Sequence, residues 1–203
     1  MTSRGRPAGD ATRQQIVDAT LATLKTVGFA GATSRAIARA GDFNQALIFY
    51  HFGNLDSLLL AALDWTNEDR LTRYRLAVDE AETVEQLSGV LSRIYAEDRD
   101  SGHMTVVAQL MAGSVARPEL APAMLARMEP WIELGEEALR KVFAQLGVPD
   151  PMPVRDLAYA VATFYLGVNL LTHLDEDRTR GDALFAGLEN LSSFASSLAA
   201  STT

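Results

Sequence analysis

Cysteine is absent from all 203 residues. That excludes a disulfide framework and a thiolate metal site, and it suits a reducing cytosol. Long apolar runs are lacking too. The longest, Leu157 to Leu171, is interrupted by Thr163 and Asn169 and bounded by Asp156 and His173. It falls short of the ~20 residues that a bilayer span needs, so a buried helix is expected there and no membrane association. No apolar stretch follows the basic residues of 1–7, which predicts a cytoplasmic chain without an export signal. The Asn190-Leu191-Ser192 sequon is then a chance match. No segment alternates polar and apolar residues for long enough to make a strand, so the expected fold class is all-α.

Catalytic signatures are missing as well. The chain has no HExxH, P-loop, dinucleotide fingerprint or GxSxG elbow, and Ala112-Gly113-Ser114 lacks the second glycine of an elbow. Three histidines without cysteine make no compact metal cluster, and Glu136-Glu137 reads as a solvated helix face. The expectation is a protein that is not an enzyme and carries no metal or cofactor.

What is present is an uneven charge. The net charge is −8, but residues 1–53 hold Arg4, Arg6, Arg13, Lys25, Arg35 and Arg39 against Asp10, Asp18 and Asp42, a net +3. The remainder carries −11. A basic head on an acidic body favours head-first approach to DNA. Charge asymmetry of this size also arises without nucleic acid. A helical dimer that binds no DNA, only a small molecule or protein partner, is the alternative reading.

Helices follow one another with clear punctuation. A first helix is expected from Asp10 or Thr12 to about Val27, Asp10 offering a capping oxygen, with Ile16, Val17, Leu21, Leu24 and Val27 inward and Gly28 ending it. A short helix follows Thr33, with Ala36, Ile37 and Ala40 inward and Gly41 as its stop. Asn44 is placed to cap a second short helix ending near His51, and Asn54 to cap a long one continuing past Tyr74. Two very short helices joined by a glycine-containing turn have the pattern of a helix-turn-helix. Further helices are expected near 83–98, 103–115, 119–146, 154–174 and 182–198. The boundary between a three-helix head and the larger body is drawn at 1–53 and 54–203, with a basic arm at 1–9.

At 100° per residue, Gln45, Ala46, Phe49 and Tyr50 share one arc of the second short helix, and Leu47 and Ile48 lie opposite. A helix of two turns is unstable alone, so its apolar side must be held by neighbours. The outer arc suits a major groove: Gln pairs bidentately with adenine, and Ala and Phe can touch a thymine methyl. Tyr50 can donate to a phosphate, and Thr33, Ser34 and Arg35 stand at a helix start that suits one. A three-helix subdomain whose polar face simply meets water has the same spacing.

The segment Thr33 to Ala40 with its Ile37-Ala38 pair, Ala40-Gly41, and the run Phe49-Tyr50-His51-Phe52 resembles the DNA-binding region of the TetR family. The resemblance covers roughly residues 10–65 and includes Leu58-Leu59-Leu60-Ala61-Ala62-Leu63. It implies a sequence-specific transcriptional regulator, repression being the commoner outcome, released from operator DNA by a small-molecule effector. It further implies base contacts from Gln45, Ala46 and Phe49 beside Asn44, and phosphate contacts from Thr33, Ser34, Arg35, Tyr50 and His51. For His51 the role rests on resemblance alone, since the helical wheel turns it inward.

Two departures stand out: the turn Gly41-Asp42-Phe43-Asn44 is one residue longer than the commonest family form, and Leu55 stands where a phosphate-binding lysine is frequent. Arg4 and Arg6 in the arm can compensate through a minor groove, or can belong to a solvated tail.

The resemblance also implies a homodimer through the helices near 154–174 and 182–198. Their small residues Ala158, Ala162, Gly167, Ala183 and Gly187 allow close packing. Leu184, Leu188, Leu191, Phe194 and Leu198 form a stripe in the last helix that serves either a partner or the internal core. An apolar or aromatic effector is expected inside the body. Trp65, Met104, Met111, Met128, Trp131, Phe164 and Tyr165 are its apolar candidates, and His103, Asn169 and His173 its polar ones.

Overall fold

The computed structural model describes residues 8–174 and 179–201. Among them are nine α-helices and no strand: α1 (Ala8–Gly31), α2 (Ser34–Ala40), α3 (Ala46–Phe52), α4 (Leu55–Glu80), α5 (Val84–Ser101), α6 (His103–Ala116), α7 (Ala121–Leu146), α8 (Val154–Leu174) and α9 (Thr179–Ser201). The all-α expectation holds. Among the described residues no single helix is long and apolar enough to cross a membrane. Arg4 and Arg6 of the expected arm lie outside the described residues, as do the side chains of His173 and Leu198.

The chain divides into two compact units. Unit 1 comprises Met1–Glu68 and Thr105–Leu125, and unit 2 comprises Asp69–Met104 and Ala126–Thr203. The core of unit 1 draws on all of the first four helices: Ile16, Val17 and Ala19 from α1, Ile37 from α2, Ile48 from α3, and Leu58 and Ala62 from α4. Leu21, Phe43, Leu47, Phe52 and Leu55 pack around it. Burial of each large side chain here is worth roughly 1.5–3 kcal/mol, and this is what holds α2 and α3, each of seven residues, in helical form. Leu55 thus packs, half-buried, against this core.

Local expectations are met in part. Thr33 caps α2, its Oγ1 accepting the Ala36 N–H at 3.2 Å. Gly41 follows α2 because a Cβ there would stand 2.3 Å from the Phe43 ring and 2.7 Å from Ala19. The turn residue Asp42 has φ +52. Ala38 is buried beside Ile37, whereas Ala40 is exposed rather than inward. Asp10 lies within the first turn of α1, which begins at Ala8, and so is not the cap. Val27 is 56% exposed, directly before the point where Gly28 breaks the helical path with φ +70. The helix expected from residue 119 begins at Ala121, after a 3-10 turn Pro118–Leu120 set up by the proline.

Unit 2 buries Tyr74, Val78, Ala81, Leu87, Val90 and Leu134 around Trp131 and its neighbours. Thr83 and Gln86 form a reciprocal capping box at the start of α5. Lys141 of α7 donates to the carbonyls of Val78 and Asp79 at 2.7 and 2.6 Å, placing a cation at the C-terminal turn of α4. Arg99 pairs with Asp182 at 2.5 Å, and Ser88 meets Ser192 at 2.9 Å; both bonds join α5 to α9.

Candidate nucleic-acid interface

α3 separates its two sides as its sequence predicts. Ile48 is fully buried, while Gln45, Ala46, Phe49 and Tyr50 face solvent, Tyr50 at 82%. An exposed phenylalanine and tyrosine on a two-turn helix have an apolar cost that a ligand surface can remove. Asn44 does not sit at the cap position itself, which Gln45 occupies. Its Oδ1 nevertheless accepts the Ala46 N–H at 2.8 Å and so fixes the first turn. Gln45 Nε2 donates to Ser34 Oγ at 2.9 Å, tying the start of α3 to the start of α2. Arg35 is exposed beside Ser34. The structure therefore brings Thr33, Ser34, Arg35, Asn44, Gln45 and Ala46 to the starts of the two short helices. His51 is only partly buried, with its ring edge against Tyr50 at 4.9 Å between centroids.

Two supporting residues lie on α1. Arg13 Nη1 donates to the His51 carbonyl at 2.7 Å and its guanidinium covers the Phe52 ring at 4.5 Å, so a cation closes the C-terminal end of α3. Gln15 Nε2 donates to the Gly41 carbonyl at 2.8 Å, holding the turn. Neither has a local sequence signal, because each partner is 38 or 26 residues away. Their polarity on an otherwise apolar-facing helix was the sole hint.

The family model described as bacterial regulatory proteins, tetR family, matches residues 16–62. Its limits coincide with the first and last buried residues of the unit 1 core, Ile16 and Ala62. Over residues 16–62 the chain is similar to the N-terminal region of the TetR family. It is 29% identical over 92 residues to an HTH-type transcriptional regulator BetI from Paraburkholderia phytofirmans, a match spanning 44% of this chain and 47% of that protein. The chain thus spans about half the length of the curated relatives it matches.

Among solved TetR-like structures, the fatty acid degradation regulator FadR from Bacillus halodurans superposes with a TM-score of 0.76. It covers 93% of this chain and 96% of its own at 17% identity, a likeness of fold. The multidrug binding protein EbrR, solved with imidazole, is 28% identical, with a TM-score of 0.58 over 87% of this chain and 93% of that one.

The effector candidates divide between the units. Trp65 and Met111 belong to unit 1, Trp65 being 48% exposed. His103, Met104, Met128, Trp131, Phe164, Tyr165 and Asn169 belong to unit 2. Phe164 stands on the exposed side of α8, but Asn169 and His103 are buried.

Tyr165 donates to Asp98 Oδ2 at 2.5 Å, and Arg70 pairs with the other carboxylate oxygen. Burial raises the Asp98 carboxyl above its ordinary range, against the opposing pull of Arg70 and the hydrogen bond from Tyr165. Burial likewise raises the Tyr165 phenol, helped by the neighbouring Asp98 charge. The Arg70 guanidinium lies 5.8 Å from the Trp131 ring and 5.9 Å from Tyr74. Tyr74 donates to Glu97, and burial followed by that bond pushes its phenol up to about 12. The Asp98–Arg70 pair was not among the sequence candidates, since nothing local distinguishes a buried aspartate from a solvated one.

Proposed function

We propose that this chain is a sequence-specific DNA-binding transcriptional regulator, a cytoplasmic homodimer that represses and leaves its operator when a small molecule binds its helical body. The observation that carries the reading is the solvent-facing arc Gln45, Ala46, Phe49 and Tyr50 on a helix locked from behind by Ile48. Gln45 reads adenine through its amide, and Ala46 and Phe49 contact thymine methyls. Thr33, Arg35, Tyr50 and His51 serve phosphates, which position the helix without reading sequence, while Ser34 between them holds the Gln45 amide. Asn44 fixes the turn from which Gln45 projects.

One helix of seven residues reads too few base pairs, so two copies are needed about one DNA turn apart. The dimer forms through α8 and α9. In support, Tyr159, Leu171, Leu191 and Phe194 are each at least 60% exposed there. An apolar or aromatic effector occupies unit 2 near Trp131, Tyr165, Asn169, His103 and Met104, where aromatic rings surround buried polar groups. It prefers a conformation in which the two recognition helices no longer match successive half-sites.

The test is selection from a random duplex library at ~50 mM salt, repeated at ~200 mM, with the enriched site then used to screen effectors for release. A two-fold symmetric site whose binding weakens steeply with salt is expected. Enrichment of no sequence at either salt concentration defeats the reading.

A further inference from the structure

Gln45 is not a freely rotating side chain. Its Nε2 donates to Ser34 Oγ at 2.9 Å across 11 residues, although both groups lie at the surface and water is at hand. The backbone on each side is pinned. Asn44 holds the Ala46 N–H at 2.8 Å, Thr33 holds the Ala36 N–H at 3.2 Å, and Gln15 holds the Gly41 carbonyl at 2.8 Å. The two partners therefore face each other from fixed supports.

A primary amide has two N–H groups and one acceptor oxygen. With one N–H on Ser34, the second and Oε1 remain, and these are the two atoms that pair with adenine N7 and N6. A free glutamine must give up rotamer freedom to dock and has two amide orientations to choose between. Ser34 removes both costs in advance.

We infer that Ser34 is a specificity-determining positioning residue: by accepting the Gln45 amide it sets which edge Gln45 shows to the base. This rests on the DNA-binding reading above. It assigns Ser34 an effect different from that of a phosphate contact. A hydroxyl-to-phosphate contact adds affinity to every sequence alike, and being uncharged it leaves the salt slope unchanged. An amide-orienting contact changes preference at one base pair per half-site and likewise leaves the salt dependence alone.

The full-length protein carrying Ser34→Ala, and separately Ser34→Thr, is measured against the selected operator and its single-base-pair variants over a range of salt. Ser34→Ala is expected to lower discrimination at the Gln45-contacted base pair roughly 3- to 10-fold, the range of one net hydrogen bond, with an unchanged salt slope. Ser34→Thr, which keeps the hydroxyl, retains the preference. Uniform weakening across all sequences by Ser34→Ala, or full preference without the hydroxyl, overturns the inference. Failure of the wild-type chain to select any DNA overturns the functional reading and takes this inference with it. Circular dichroism of both variants is expected to match the wild type, since Ser34 is not in the core.

Discussion

The Phe29 ring lies so close to Gly113 that a Cβ at 113 would stand 2.3 Å from the ring carbon Cε2. Three positions spaced four apart converge on this one phenylalanine. Gln109 Oε1 accepts the Phe29 N–H at 2.9 Å, Gly113 supplies the flat surface, and the Arg117 guanidinium covers the ring at 4.9 Å. Arg117 also pairs with Asp56 at 2.6 Å at the start of α4. The left-handed bend at Gly28 delivers Phe29 to this grip. Within unit 1, the far end of α6 thereby holds both the end of α1 and the start of α4, the helices on which α2 and α3 are built.

Gly113→Ala and Gly89→Ala are expected to have opposite signs. Both glycines are inside helices, where alanine is intrinsically better by about 0.8–1.0 kcal/mol. Gly89 has nothing within 4 Å of a built Cβ, so it should gain most of that. At Gly113 the new methyl must displace Phe29, an overpacking of typically ~1–3 kcal/mol that outweighs the propensity gain. Thermal melts of the two variants check this. A Gly113→Ala variant as stable as Gly89→Ala would mean that Phe29 is not held.

The neighbours Glu97 and Asp98 should titrate in opposite directions from their ordinary values. Glu97 is lowered by its hydrogen bonds from Arg73 and Tyr74. Asp98 is raised by burial, which outweighs Arg70 and Tyr165. For Asp98 the folded value lies above the unfolded one of about 3.9. Its contribution to stability is therefore complete below that value and lost as pH rises through the folded one. For Glu97 the contribution is present above about 4.3 and lost as pH falls through its lowered folded value. Side-chain carboxyl resonances followed against pH report both. An Asp98 resonance titrating below the ordinary aspartate range would show that Arg70 outweighs burial. Asp98→Ala strands the largely buried Arg70, and a loss of about 3–5 kcal/mol is expected.

The helix pattern and the outward arc of α3 were legible because each rests on local rules. Thr33 and Gly41 bracket α2 by cap and close approach, and the helical period alone sets Ile48 inward and Phe49 outward. What the sequence could not supply was the bracing. Arg13 to the His51 carbonyl and Lys141 to the end of α4 join residues 38 and about 60 positions apart, and such pairs leave no periodic trace. Val27 shows the converse limit. The wheel continues the apolar face through it, but it stands exposed where the helical path breaks at Gly28. In α9 the stripe was readable, though not its occupant. Phe185 and Ser192 turn into unit 2, leaving Leu184, Leu191 and Phe194 outside.

Gln45→Ala and Arg35→Ala should separate reading from holding. Loss of the Gln45 amide should cost ~1–3 kcal/mol of discrimination at one base pair per half-site while sparing the salt slope. Loss of Arg35 should weaken all sequences alike and reduce the salt slope by about one for each contact in the dimer. Binding titrations on matched and mismatched duplexes distinguish them. An unchanged sequence preference in the Gln45 variant removes its assigned role.

The outward face of α9 supplies the last prediction. Leu191 and Phe194 are 64% and 61% exposed, so charging both removes little of the packing that holds one chain together. In a dimer the same two side chains would be buried at the centre of an interface that must cover roughly 1,200–2,000 Å² to be stable. Desolvating two carboxylates there without partners is prohibitive. Leu191→Glu with Phe194→Glu is therefore expected to sediment as a monomer with unchanged helicity, and to lose at least about 100-fold in operator affinity because only one half-site is engaged at a time. Leu125→Glu is the control: that side chain is equally exposed at 64% but lies in unit 1, away from α8 and α9 in sequence, and should stay dimeric. A doubly charged α9 that still sediments as a dimer would place the interface on another surface, and Leu171 and Tyr159 of α8 would be the next residues to charge.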